Sequence, residues 1–332
     1  MPIKFGIEFV PNMSIDGLVS NIVLAENAGF DYVWVTDHYT NRCVYIGLTV
    51  AALNTKRVKL GTGVTNPHHI HPAWTASAIA TLNEVSNGRA ILGLGPGDKS
   101  TLVQIGIGLS KPLTAVREAV EIIRKLWAGE TVNFSGDVFH LANARLSFKP
   151  STSIPIYIGA QGPKMLELAG AIGDGVLINA SHPKDFEYAI KYIKDGAQKA
   201  GRKIEDIDVV AYAALSVDED AAKARDAAKI VVAFIVAGAP DNILERHGIK
   251  KEEVEAIRNA IAKGDIPGAG KAVSDASLEA FSISGTPEEC ISKIEQLVKV
   301  GVTQFVAGSP LGPKKKAAIE TIGRKIIPAF KQ

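Results

Sequence analysis

Short apolar runs alternate with helical patterns eight times along this chain, and that alternation restricts its fold more than any other feature. Residues 3–9 read as a strand and 16–28 as a helix, with Leu18, Val19, Ile22, Val23 and Ala25 on one side and Gly29 as C-cap. The unit recurs as 32–36 with 44–53, 58–62 with 73–85, and 90–94 with 113–127. It continues as 154–159 with 163–171, 175–179 with 183–200, and 208–213 with 219–236. The eighth unit, 303–307 with 315–327, comes late. Eight strand–helix units are the count of a closed (β/α)8 TIM barrel. The strands in VKLGTG, RAILGLG and GVLIN are apolar at consecutive positions, as strands covered on both faces must be. A doubly wound sheet in two domains competes, but no Pro/Ser/Gly-rich linker divides the halves.

The expected architecture is therefore a single α/β barrel domain over 1–332 with insertions. The largest insertion, at about 238–302, reads as mostly helical, clearest at 251–262 and 288–300. Thr286, Pro287 and Glu289 give the second of these a capping box. Residues 129–153 hold a hairpin pattern around Ser135, Gly136 and Asp137, and 98–112 is a long connection after the fourth strand.

Composition narrows the function. With 46% hydrophobic and 22% charged residues, disorder and fibrous structure are excluded. Lys plus Arg is 37 and Asp plus Glu is 35, a balance that gives no reason to expect nucleic acid or an anionic membrane as partner. Cys43 and Cys290 are too few for a disulfide scaffold or a metal site of their own. The amino-terminal run meets Glu8 before any long apolar stretch, and no uncharged apolar run approaches about 20 residues, so a soluble cytoplasmic protein is expected.

In a barrel, chemistry sits where strands end. Those ends carry Glu8; Asp37 and His38; Gly63, Val64, Thr65 and Asn66; Gly95 to Asp98; Gly159, Ala160, Gln161, Gly162, Pro163 and Lys164; and Asn179 to Ser181. No serine occupies a G-x-S-x-G elbow. Glu8 stands among apolar neighbours, where a carboxylate must be paired, hydrogen-bonded or functional. Asp98 follows a glycine-rich turn and reads either as functional or as an Asx cap ahead of Ser100. Gly93 to Gly97 is not a G-x-G-x-x-G turn and follows the wrong strand for a nicotinamide site. The turn Gly159 to Gly162 links a strand to a helix and suits a phosphate, although a plain βα turn has the same look. His68, His69 and His71 crowd one short loop with no carboxylate to complete a metal shell, so no metal is expected.

The run Lys4 to Asn12 (KFGIEFVPN) resembles the start of the F420-dependent methylenetetrahydromethanopterin reductase family of methanogenic and related archaea. WVTDHY at 34–39, GTGVTNP at 61–67, LGLGPGD at 92–98 and IGAQG at 158–162 are similar to the same family, which lies within the bacterial-luciferase-like barrels that bind FMN or coenzyme F420. The resemblance implies hydride transfer from reduced F420 to the methylene group of a tetrahydromethanopterin-type C1 carrier. It implies Glu8 and Asp98 as the carboxylates that stabilise a cationic methylene-iminium and manage its proton, with neither role assigned to either residue. It places Asp37, His38, Gly63, Val64 and Thr65 near the deazaflavin, with a cis peptide at Gly63–Val64, and Gly159, Ala160, Gln161 and Gly162 near the phosphate. It further implies a homodimer or homotetramer. Sugar-phosphate and alcohol dehydrogenases of the group carry a tryptophan a few residues after the Asp-His pair; this chain has Tyr39 and Arg42, against a dehydrogenase. An FMN-dependent monooxygenase and a non-catalytic flavin-binding subunit are the other readings.

Overall fold

The computed structural model describes residues 3–331. In chain order the first elements are β1 (Lys4–Phe9), α1 (Ile15–Asn27), β2 (Tyr32–Val35), α2 (Val44–Asn54), β3 (Lys59–Thr62), α3 (Pro72–Val85) and β4 (Ala90–Leu94). A short α4 (Lys99–Gln104), α5 (Pro112–Trp127), β5 (Val132–Ser135), β6 (His140–Ala144), β7 (Ile156–Gly159), α6 (Pro163–Ile172), β8 (Gly175–Ile178) and α7 (Pro183–Lys199) follow. The remainder is β9 (Asp208–Val217), α8 (Ala221–Gly238), α9 (Asp241–Arg246), α10 (Lys251–Ala262), α11 (Ile266–Lys271), α12 (Asp275–Phe281), β10 (Ile283–Gly285), α13 (Pro287–Lys299), β11 (Gln304–Leu311), α14 (Lys315–Thr321) and, after a π-helical turn, α15 (Ile327–Phe330). The main sheet runs β10-β9-β11-β1-β2-β3-β4-β7-β8, and β9 also pairs with β8. Eight strands thus close on one another as a (β/α)8 barrel, with β10 added on β9.

Two compact units divide the described residues. One comprises 6–178 and 188–210, and two large rings meet in its interior. Trp34 is fully buried and its ring meets Tyr157 edge-on at 5.2 Å between centroids. Glycines on neighbouring strands make room: a Cβ on Gly61 would fall 2.8 Å from the Trp34 ring, and one on Gly175 2.3 Å from the Tyr157 ring. Large and small residues alternate across strands, as interdigitated barrel layers require. The Tyr157 hydroxyl donates to Asp208 Oδ2 at 2.8 Å. Burial and the neighbouring Asp208 carboxylate both push the Tyr157 phenol up, so it stays a neutral donor.

Polar clasps hold the strand starts. The Arg89 guanidinium donates to the carbonyls of Ala52, Thr55, Val58 and Ser86 at 2.8–3.0 Å. Glu26 accepts the backbone N–H groups of Lys56, Arg57 and Val58. Burial alone would raise the Glu26 carboxyl, but those three donors outweigh it and lower its pKa.

The expected hairpin is present as β5 and β6, antiparallel, with Gly136 N–H closing onto the Phe139 carbonyl. Its anchor is Glu118 of α5, 2% exposed, whose carboxylate accepts the N–H groups of Asp137, Val138 and Phe139 at 2.8–3.0 Å.

The other unit comprises 3–5, 179–187 and 211–331. Val232 and Val236 of α8, Ile257 of α10 and Leu278 and Phe281 of α12 share a buried cluster there. Asp185 is buried and receives Arg246 Nη1 at 2.7 Å and His247 Nε2 at 2.9 Å. The capping box at Thr286 and Glu289 is present. The stretch 238–302 differs from its mostly helical reading in holding β10, which pairs Ile283 to Leu215 and Gly285 to Val217. Three residues are too short a run for periodicity to register. The helix α4 within 98–112 is likewise invisible to the sequence; with six residues it falls below the length at which a helical pattern shows.

Glu118→Ala is expected to lower unfolding free energy by about 2–3 kcal/mol, because three inward-facing N–H groups lose their acceptor. Urea unfolding measures the loss, and hydrogen exchange should rise at Asp137, Val138 and Phe139 while α3 amides keep their protection.

Candidate active site

The sequence-derived carboxylate and cofactor-site residues, Glu8 to Gly162, belong to the 6–178 and 188–210 unit, whereas Asn179 to Ser181 belong to the other. Glu8 lies opposite Trp34 in the β1–β2 register, and Trp34 lies opposite Gly61 across β2–β3. Register partners in a parallel sheet project to one face, so Glu8 shares the interior face with the Trp34 ring. It is half-buried, while Ile7 and Phe9 on the opposite face are buried. A carboxylate on the inner face near the strand's carboxyl end is set where barrel chemistry takes place.

Past β3 the chain bulges over the strand ends. The Gly63–Val64 peptide is cis, as the resemblance implied. Gly63 N–H donates to the Val35 carbonyl at 2.7 Å, Thr65 N–H to Gly93 at 2.9 Å, and Gly95 N–H to Thr65 at 2.8 Å, so the bulge is tied to both adjoining strands. Val64 seats its side chain in the space left by two glycines: a Cβ on Gly95 would lie 2.7 Å from Val64 Cγ2, and one on Gly159 3.4 Å from both γ carbons. Residues 63–65, 95 and 159 are therefore brought together.

Asp37 is joined to the same bulge. Thr65 Oγ1 donates to Asp37 Oδ2 at 2.7 Å, and His69 Nε2 meets that oxygen at 3.1 Å. The Tyr45 phenol is pushed up to about 12, chiefly by burial, and remains protonated. His38 has no partner for its ring among the described residues, which leaves the imidazole available to a ligand. The three loop histidines diverge in role: His71 Nδ1 caps α3 by accepting the Ala73 N–H, His69 joins Asp37, and burial lowers the His68 pKa. Among the described residues no group of three His, Cys, Asp or Glu side chains could hold a metal ion. The contribution of His69 escapes a sequence reading because 32 residues separate it from Asp37 and no pattern links them.

The turn after β7 is narrower as an anion site than its sequence suggested. Ala160 N–H is spent on the Leu177 carbonyl at 3.0 Å, within the sheet. Gln161 and Gly162 are exposed, and Gly162 is the N-cap of α6 without a side chain to satisfy the first turn. Pro163 fills the first position, so Lys164 and Met165 present their N–H groups.

Asp98 forms the Asx cap that its sequence allowed. It is exposed and is the N-cap of α4, accepting the Ser100 N–H at 3.1 Å, the Ser100 hydroxyl at 2.7 Å and the Thr101 N–H at 3.2 Å. Partial burial raises its pKa, but these donors outweigh that effect and the net shift is downward. Asp98 is thus held as an anion at neutral pH. Leu102, buried one turn on, packs beside Gly97 and Asn66 and fixes α4 against the β3 loop. Tyr39 donates its hydroxyl to Gln104 Oε1 at 2.6 Å, linking the β2 loop to α4.

An eight-stranded barrel whose strand ends carry a backbone bulge, an inward carboxylate and an uncapped βα turn fits the luciferase-like class. The model of the luciferase-like monooxygenase family matches residues 4–304, and the chain belongs to that family. Within it the chain is 59% identical to 5,10-methylenetetrahydromethanopterin reductase of Archaeoglobus fulgidus, over 99% of this chain and 100% of the relative. The solved coenzyme F420 dependent tetrahydromethanopterin reductase of Methanopyrus kandleri superposes with a TM-score of 0.95 at 46% identity, covering 99% of this chain and 100% of that one. An F420-dependent secondary alcohol dehydrogenase, solved with an F420-acetone adduct, gives a TM-score of 0.85 at 25% identity, with both chains covered at 100%.

Because the Asp98 carboxyl is lowered, its cap is complete above the ordinary aspartate value of about 3.9 and is lost as pH falls through the lower folded value. Amide exchange at Ser100 and Thr101 should therefore stay protected down to about pH 4 and accelerate below it. In Asp98→Ala the protection is absent at every pH, with about 1 kcal/mol of local helix stability removed.

Proposed function

We infer that this chain is an oxidoreductase that transfers a hydride from reduced coenzyme F420 to 5,10-methylenetetrahydromethanopterin, giving the 5-methyl carrier, in a reversible step. The observation that carries the reading is whole-length likeness: 59% identity to one such reductase and a TM-score of 0.95 to another. The substrate is a small molecule, and nothing in the balanced charge calls for nucleic acid or membrane.

The residues present fit the cofactor. Thr36 Oγ1, His68 Nε2 and His69 Nδ1 are buried without a protein partner around the β2 and β3 ends, where polar ring atoms of a deazaflavin would satisfy such groups. In this reading Asp37, His38, Gly63, Val64 and Thr65 hold the ring. Gly159, Ala160, Gln161 and Gly162 shape the turn for the phosphate, and the uncapped start of α6 donates to it. Bound F420 supplies the hydride; orientation and electrostatics belong to the protein.

The carboxylate roles left open by resemblance divide on environment. Asp98, anchored by three donors, is the standing anion, suited to stabilise positive charge on the opening methylene bridge. Glu8, on the inner face and half-buried, carries the proton that assists ring opening. Glu8→Gln is expected to keep the fold and F420 binding while hydride transfer falls by two to three decades, about 3–4 kcal/mol. Anaerobic single-turnover spectroscopy at saturating F420 and carrier reads this. An unchanged rate removes Glu8 from the chemistry, and a wild-type enzyme that fails to oxidise reduced F420 with the methylene carrier overturns the function.

We further propose a cytoplasmic homo-oligomer, a dimer or tetramer. Both cysteines are free thiols, as in a reducing compartment, and no helix among the described residues is long and apolar enough to cross a membrane. Helix α2 (VYIGLTVAALN) has no charged residue, and its outward Ile46 and Leu53 are 60% and 71% exposed, with Trp74 of α3 at 74%. Apolar side chains of this size on two adjoining helices support burial against a second copy. Sedimentation at micromolar concentration should give at least twice 35.2 kDa, and Leu53→Glu should shift it toward the single chain.

A further inference from the structure

One cavity lies away from the site described above. It has a volume of about 570 Å³ and is bounded by Arg124 and Trp127 at the end of α5, residues 149–154 ahead of β7, Ala171 and Asp174 ahead of β8, and Arg202 ahead of β9. It therefore opens at the amino-terminal ends of the strands, opposite the end that bears Glu8, the bulge and the α6 turn. That volume is within the range of small-molecule sites.

Its charge is one-sided. Arg124, Lys149 and Arg202 face a single carboxylate, Asp174. Asp174 Oδ2 is already engaged, accepting the Ile156 N–H at 2.8 Å and meeting Arg124 Nη2 at 3.3 Å. Arg202 gives Nη1 to the Gly170 carbonyl at 3.1 Å, which leaves the other nitrogens of its fork uncommitted. Lys149 has no hydrogen-bond or ion-pair partner among the described residues, and Ser151, Thr152 and Ser153 donate their backbone N–H groups to no other described residue. Thr152 Oγ1 accepts from Asn83 Nδ2 at 2.9 Å, so its hydroxyl proton is left to donate. The wall is rich in donors and cations and short of acceptors.

We propose that this cavity is a second anion site, one that takes a small phosphate-bearing molecule with two or more negative charges. Guanidinium and ammonium groups bind phosphate oxygens through charge-assisted hydrogen bonds, and serine and threonine hydroxyls complete the shell. Cations near helix carboxyl ends also offset the helix dipole, a role that accounts for Arg124 in the last turn of α5. Lys149 lies in no helix, so the dipole does not account for it. The site is independent of the hydride-transfer reading, since none of its residues belongs to that machinery.

The test is calorimetric titration of inorganic pyrophosphate into the full chain saturated with F420, at constant ionic strength, so that the α6 turn is already filled. F420 saturation is checked separately by fluorescence; its failure counts against the proposed function and not against this cavity, and the titration then runs on the cofactor-free protein. One saturable site per chain is expected, with orthophosphate binding more weakly. Lys149→Met should weaken pyrophosphate by about tenfold and Arg202→Gln by at least as much, the loss of one charge-assisted contact each. F420 affinity and basal hydride transfer should not change in either variant. No saturable heat in the wild type overturns the proposal, and so does equal affinity in wild type and Lys149→Met, which would leave these cations only offsetting helix ends. Lys149 is exposed and makes no contact that folding needs, so this variant decides the matter even if Arg202→Gln does not fold.

Discussion

Filling the inside of the strand ring is the constraint on which the rest of this structure depends. Trp34 and Tyr157 occupy it edge-to-face, and they fit only because Gly61 and Gly175 stand where a Cβ would collide with their rings. Gly93 tightens the same layer: its Cβ would fall 2.0 Å from the Thr62 carbonyl, so β3 and β4 approach as only glycine allows. Above that packed floor the strand ends become a platform, and every candidate group stands on it. A looser floor would let the register partner of Trp34, Glu8, change its depth along with the ring.

The platform is extended by the same device of glycine opposite a larger side chain. Val64 drops into the space over Gly95 and Gly159, which locks the bulge after β3 to the ends of β4 and β7. The bulge in turn presents Thr65 to Asp37, and His69 closes on the same carboxylate oxygen. Positioning therefore passes from packing to hydrogen bonding. Preorganised groups of this kind need no rearrangement as charge develops nearby.

Glu8 and Asp98 stand in unlike surroundings. Asp98 is exposed, held as an anion and engaged as the cap of α4; Glu8 is half-buried on the inner face of β1.

The sequence by itself determined the barrel. Eight strand–helix units, the consecutive apolar positions of buried parallel strands, the hairpin and the capping box at Thr286 are local patterns, and local periodicity is what burial on one or both faces writes into a chain. It also marked Glu8, because a charge inside an apolar strand is conspicuous without any knowledge of its neighbours. Tertiary structure alone decided the rest. The three-residue β10 and six-residue α4 are shorter than the periods that reveal such elements. Ala160 lost its N–H to Leu177, a choice made by strand pairing and not by the turn that contains it. The three donors around Asp98 were set by the path of the chain into α4. Asp37, Thr65 and His69 meet across 28 and 32 residues because register and a bulge carry them together. Contacts between distant segments depend on how strands align and where loops travel, and a one-dimensional pattern holds no record of either.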